Sequence, residues 1–498
     1  MPALTEIKFL AFLRDRTKCR ARLYYATGFL LLSLCGCTAV APQHTAPESF
    51  DVPVAWSVAD VSGSTGASSL TQWWSSFNDP LLTSLVAQAL QVGISVTSAQ
   101  AALRQARALS DVSAAALWPS VNASASAGRS RVGHNTAVNS FAAGLDASWE
   151  LDIFGGNRSA LRANEATASA SAASLGNVQV SIAAEVALDY IALRSAQVRL
   201  AIASNNLVSQ QETLQITRWR LQAGLVSSLE VEQARAAAEQ TGALLPTLQI
   251  SIDQRIHALS VLTGKPPATL LPLLTAVSPI PQANGNLVLS IPAETLRQRP
   301  DVRSAEHQVT AAQARLSQAD AARLPNFALS GSLGLNAATI GSLTGGGAVV
   351  SALLAAVSLP VFDGGALRAQ VRVQQAALDQ TYLAYEATVL TALTDVEDAL
   401  VALRGDRERL LNLQQASEAA SNAALMAHQR YASGLVDFQT VLDTQRSQLT
   451  TEDSVAIASS DVSADHVRLY KALGGGWRSD SEEMTVTPKN IANRTSPP

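Results

Sequence analysis

The chain has little of what builds a reactive site. Three cysteines and six histidines are spread over 498 residues, aromatic residues are 5% of the total and charged residues 15%. With an apolar fraction of 47% rich in alanine, this favours many small side chains packed closely over a few large aromatic cores. The net charge of −4 gives no basic surface for nucleic acid. The histidines, at 44, 134, 257, 307, 428 and 466, form no H-E-x-x-H, and there is no G-x-S-x-G. "TGKPP" (263–267) lacks the upstream glycine and the following Ser or Thr of a phosphate loop. No enzyme and no cofactor are expected, so any energy source must sit in a partner.

A long hydrophobic run is also missing. A membrane-spanning helix needs ~20 apolar residues. The nearest candidate, 324–362, has no charge, but Gly345, Gly346, Gly347 and Pro360 interrupt it, and Asn326 and Asn336 dilute it. The apolar run 26–34 is shorter still; it follows a basic segment, which is the shape of an export signal. "LLLSLCGCTAV" (31–41) then places Cys37 behind Leu34, Cys35 and Gly36, the pattern of a bacterial lipoprotein signal. An ordinary export signal with incidental cysteines is the other reading. Cleavage before Cys37 would remove Cys19 and Cys35 and exclude a disulfide framework within the chain. Thr38 follows, not Asp, so the common inner-membrane retention signal is absent.

What the chain does have is itself, twice. "GLVSSLEVEQAR" (224–235) matches "GLVDFQTVLDTQR" (434–446), and "WPSVNASASAG" (118–128) matches "LPNFALSGSLG" (324–334). "DIFGG" (152–156) matches "PVFDGG" (360–365). Each half begins with a helical pattern: Val302, Ala305, Val309, Ala312, Leu316 and Ala319 alternate at threes and fours, and roughly 80–117 is the first-half equivalent. Two strand patterns follow. Phe141, Ala143, Leu145, Ala147, Trp149, Leu151 and Ile153 share one face, and Asp146, Ser148, Glu150 and Asp152 share the other. This is the alternation of a transmembrane β-barrel, although a two-faced sheet on a soluble core has the same period. Then come 67 proline-free residues, 157–223, with Leu193, Leu200, Leu207, Leu214 and Leu221 seven apart. As one helix they span ~100 Å.

The expected organisation is therefore a signal peptide (1–36), a lipidated extended segment (37–70), a first repeat (71–263), a proline-rich connector (264–300), a second repeat (301–473) and a disordered tail (474–498). The expected strands are about 120–131, 140–153, 326–337 and 349–362; the long helices are 157–223 and 364–433, with return helices 228–263 and 436–472. Four strands cannot close a barrel, and open edges in lipid leave backbone groups unpaired. Three protomers would pool twelve strands, enough to enclose a lumen.

"QWWSSFNDPLLTSLVAQAL" (72–90), "RQRPDVRSAEHQVTAAQARLSQADAARLPNFALSGSLG" (297–334), "PVFDGGALRAQV" and "YKALGGGW" (470–477) resemble the TolC-type outer membrane factors of tripartite efflux systems, most closely their lipoprotein (NodT-like) branch. The resemblance covers about 70–477. It implies an α+β membrane protein: a homotrimeric twelve-stranded β-barrel in the outer membrane, continued by a periplasmic α-helical barrel. It implies Cys37 as the lipidated residue held in outer membrane lipid. It also implies a periplasmic adaptor protein docking on the tips Gly224, Leu225, Val226, Ser227 and Gly434, Leu435, Val436, Asp437, and an inner-membrane pump of the resistance-nodulation-division type. Gly224 and Gly434 could also do no more than end helices. Asp443 falls where the family often places an entrance carboxylate; the position of a second is Thr440 here, with Asp437 close by in the turn. A solvated aspartate on a helix face is the plain alternative. A type I protein secretion duct has the same fold, and a coiled-coil lipoprotein scaffold without a pore is the reading from a different class.

Overall fold

The computed structural model describes residues 55–56, 70–131, 133–134, 136–283 and 292–477. Cys37 and its signal lie outside the described residues, as do most of 37–70 and the tail beyond 477. The helices are α1 (Pro80–Val92), α2 (Ile94–Ala115), α3 (Gly156–Gln222), α4 (Ser228–Leu262), α5 (Leu271–Leu274), α6 (Pro292–Gln298), α7 (Pro300–Ala321), α8 (Ala366–Ala432) and α9 (Phe438–Ala472). The strands are β1 (Ser120–Ser130), β2 (Val138–Leu151), β3 (Asn326–Ala337) and β4 (Val349–Ser358). α3 and α8 are each 67 residues long, and α4 and α9 are each 35.

The strands form one antiparallel sheet in the order β1-β2-β3-β4. Directly opposed residues share a face, so the register Ala123↔Leu145, Leu145↔Leu333 and Leu333↔Ser351 sorts every strand position. One face carries Val121, Phe141, Trp149, Leu329 and Leu353; the other carries Asn122, Asp146, Glu150, Ser332 and Asn336. Polar pairs tie that second face together: Ser120 to Ser148 at 2.9 Å, and the Asn326 amide donating to Glu150 at 2.8 Å. Lipid suits the first face and water the second. β4 ends at Ser358, short of the expected 362, because Pro360 cannot donate to the ladder.

The helices lie in a row. α3 packs on α2 and α4 along one side and on α7 and α9 along the other, and α8 packs on α7 and α9. α4 runs up to the start of α2, and α9 up to the start of α7, so each pair stacks end to end. At the second junction buried Arg299 donates to the Ala472 carbonyl at 2.8 Å, meeting an orphan group of the α9 terminus, while Asp301 and Asp395 balance its charge at 2.6 and 2.9 Å. The single helix expected over 80–117 is broken: the chain leaves helical geometry at Gly93 (ψ 135°), beside the end of α4.

Around the level of these junctions sits the main core. Trp73, Leu82, Leu85, Tyr190, Ile191, Leu193, Ile256, Leu259 and Leu274 are almost wholly buried there. Asp79 caps α1 through the Leu81 and Leu82 amides and accepts the Tyr190 hydroxyl at 2.7 Å. The connector and the start of the tail are both more ordered than composition alone suggests. The connector 264–300 contains the short helices α5 and α6. The segment 474–477, assigned to a disordered tail, is packed: Gly475 is pressed against Leu70, Trp73 and Tyr470, and Trp477 lies so close to Gly176 in α3 that a Cβ there would stand 2.6 Å from its ring. Glycines and a tryptophan read as a loose end by composition, but here they are packed against α3 and the helix junction.

Candidate gate and docking surface at the helical tips

The far ends of α3–α4 and α8–α9 are two hairpins with one backbone plan. Gly224 and Gly434 both have φ +72°, a left-handed conformation that glycine reaches without the clash a Cβ brings. In the first turn the Leu225 amide donates to the Arg220 carbonyl at 2.9 Å and the Gly224 amide to Leu221 at 2.9 Å. In the second, Leu435 donates to Arg430 at 2.9 Å and Gly434 to Tyr431 at 3.0 Å.

The return helices start differently. Ser227 occupies the cap position of α4 without a side-chain cap bond. Asp437 caps α9, accepting from the Thr440 amide at 2.9 Å and from the Thr440 hydroxyl. Those two bonds, the hydroxyl's first, hold the Asp437 carboxyl below the ordinary range. Both tips expose an apolar side chain: Leu225 and Leu229 are 70% and 64% exposed, and Leu435 is 74% exposed. Val436 is the exception, turned onto the cluster beneath.

That cluster contains Leu214, Ala234, Ala427, Tyr431, Phe438, Val441 and Leu442, drawn from both hairpins. The Arg220 guanidinium lies 4.3 Å above the Tyr431 ring and donates to the Tyr431 carbonyl at 3.1 Å. The Tyr431 hydroxyl reaches Glu230 at 3.3 Å, and Phe438 tilts against the same ring at 5.4 Å. Burial raises the Tyr431 hydroxyl pKa. Sequence reading missed Arg220, Glu230, Tyr431 and Phe438. One signal was available: the repeat pairs Tyr431 with Leu221 and Phe438 with Ser228, so the second tip is aromatic where the first is not.

Arg220 is the last rung of a ladder. Arg199, Asn206, Thr213 and Arg220 stand seven apart on α3, each one residue before a leucine of the heptad series. Arg199 pairs with Asp453 at 2.6 and 3.1 Å, Asn206 donates to Glu452 at 2.8 Å, and Gln445 donates to Thr213 at 3.0 Å. All these partners belong to α9. The neighbouring leucines serve the first hairpin: Leu207 faces Gly242 and Leu214 joins Ala234, while Leu221 is exposed and ends the seam. The two hairpins are therefore held to each other by this apolar cluster at the tip and, farther along α3, by polar bonds.

Asp443 and Thr440 are exposed on α9. Asp443 accepts from Gln439 at 2.9 Å, and the Thr440 hydroxyl is engaged by Asp437. Within one chain, Asp443 thus keeps an oxygen available to whatever stands opposite.

A family model described as outer membrane efflux protein matches residues 85–265 and 291–475. Nodulation protein T of Rhizobium leguminosarum bv. trifolii is 30% identical over 463 residues, covering 91% of this chain and 97% of that protein. The pyoverdine export outer membrane protein OpmQ of Pseudomonas aeruginosa is 32% identical over 475 residues, covering 91% and 97%. The solved outer-membrane channel OprN superposes with a TM-score of 0.78 at 34% identity, covering 87% of this chain and all of that one. With the family model spanning both halves and the sheet and long helices in place, this chain belongs to the outer membrane efflux protein family.

Proposed function

We propose that the chain is the outer membrane channel of a tripartite efflux system, a passive exit duct for small amphipathic compounds. The observation that carries this is that both of its layers are open at the same two sides. β1 and β4 have free edges, and the helix row ends at α2/α4 and at α8. The helices at those ends expose apolar residues, Ile94, Val112 and Ile250 at one and Val373, Leu383 and Leu411 at the other, between 57% and 70% exposed. Free strand edges are untenable in lipid, and apolar helix flanks are poorly placed in water. Copies of the chain joined side by side in a closed ring satisfy both. Three copies give a twelve-stranded barrel, polar face inward, standing on a helical barrel in the periplasm.

Within this trimer the hairpin tips form the periplasmic entrance. The exposed Leu225, Leu229 and Leu435 support docking of a periplasmic adaptor, and three Asp443 carboxylates at the aperture favour cations. Opening is iris-like: the α8–α9 hairpin moves off α3–α4. The ladder suits this, because each polar bond exchanged for water costs only about 1 kcal/mol net when neutral and about 2 kcal/mol when it involves a charged group. Energy comes from an inner-membrane pump of the resistance-nodulation-division type, and lipid on Cys37 tethers each protomer. Pyoverdine export by the OpmQ relative favours small compounds over protein cargo.

Cells lacking the gene should retain a fluorescent efflux dye, and a plasmid copy should restore its loss. The purified protein should conduct in planar bilayers. Absence of conductance would sink the duct. Conductance without any effect on dye would move the assignment to protein secretion.

A further inference from the structure

The barrel wall carries one charge on its lipid side. Opposed pairs place Val121, Ala123, Ala125, Ala127 and Arg129 of β1 on the apolar face, and no other strand position on that face is charged. Arg129 stands at the end of the sheet farthest from the helices, and Arg131 follows two residues later at the β1–β2 connection. Both are exposed, and among the described residues neither has a carboxylate partner.

The opposite rim has another chemistry. Trp118 and Phe362 are 74% and 92% exposed, Trp149 donates to the Leu117 carbonyl at 3.0 Å, and Phe327 packs near Phe154. Such aromatics mark a membrane–water interface. Between the rims, 141 to 151 spans eleven residues of β2; tilted by ~40°, that is ~25 Å of apolar wall, one bilayer core. The helices fix the aromatic rim on the periplasmic side, so Arg129 lies at the level of the outer-leaflet headgroups. A guanidinium fork matches a phosphate bidentately.

We propose that Arg129, assisted by Arg131, binds the phosphate of a phosphorylated lipid headgroup in the outer leaflet. This rests on the barrel reading above. Three such sites around a trimer fix the height of the barrel and hold lipid against its wall.

The test uses the purified full-length trimer in detergent, titrated with a bisphosphorylated glycolipid or its dephosphorylated counterpart and followed by native mass spectrometry. Wild type is expected to retain the phosphorylated lipid. The Arg129→Gln/Arg131→Gln double variant should lose at least tenfold in apparent affinity, with Arg129→Lys between them and binding weakened by salt. Equal retention by wild type and the double variant, or equal binding of the dephosphorylated lipid, overturns the proposal. If the double variant does not assemble, Arg129→Gln and Arg131→Gln singly decide by the same criterion. A chain that neither trimerises nor conducts would instead overturn the barrel. A conducting trimer indifferent to phosphate overturns this site alone.

Discussion

α3 passes through two regions held by different forces. At the level of the helix junctions its buried apolar positions include Val186, Tyr190, Ile191 and Leu193, facing Trp73, Ile256 and Leu259, with Arg194 and Gln197 buried beside them. Toward the tip most of its buried positions are polar, Asn206, Gln210, Thr213 and Thr217, with Ala203 and Leu214 among them. Apolar packing has no cheap alternative partner in water, so the first region is a fixed collar. Polar contacts can be handed to water one at a time, so the second can separate. On the proposed iris-like opening, stability and motion would fall to different stretches of one helix.

Variants can break this division. The largest expected effect is in the collar. Leu193 is fully buried, and Leu193→Ala should cost about 3 kcal/mol. The apparent melting temperature of the purified protein should fall by several degrees, and on the proposed channel reading its single-channel behaviour should stay unchanged. An altered open probability without loss of stability would refute the division.

The tip should respond the other way. Tyr431→Ala removes the ring beneath Arg220 and the contact to Phe438. With about 1–2 kcal/mol taken from the closed arrangement, the open population should rise roughly five- to thirtyfold. Planar-bilayer recordings read this directly as a raised open probability, which Leu193→Ala should not produce. Tyr431→Phe loses only the 3.3 Å hydroxyl bond to Glu230 and should sit near wild type.

The smallest effect sharpens the collar's chemistry. Asp465 on α9 is 1% exposed; one carboxylate oxygen meets Arg468 at 2.5 Å and the other has no partner. Burial is the main cause that pushes its pKa up to about 6; Arg468 opposes the shift and Asp406 on α8 adds to it. The folded chain therefore holds a proton that the unfolded chain releases at lower pH. Stability from this group should increase as pH falls from 7 through 6 toward the ordinary carboxylate range. Asp465→Asn should flatten that slope and raise the melting temperature at pH 7. A slope unchanged by the substitution would assign the effect to other groups.

Much of the fold was legible because its periods are long. The alternation from Phe141 to Leu151 marks β2, and the proline-free stretches mark α3 and α8 to within a residue or two. Gly224 and Gly434 were legible as turns because glycine is the residue a left-handed position selects. β4 was harder, since Val350 and Leu354 make its second face apolar as well, and only pairing with β3 assigns its sides. The tip latch was not legible: Arg220 and Tyr431 are 211 residues apart, and no local period links them.

The sequence by itself determined the repeat, the element types and the turns, because these follow from local periodicity and backbone preference. Tertiary structure alone decided that Gly474–Trp477 is packed, that Arg299 closes a helix junction, and that the heptad position beside the leucines of α3 joins the two hairpins. Those outcomes depend on which side chains meet across long separations, and that is set by how the helices pack rather than by any one stretch of the chain.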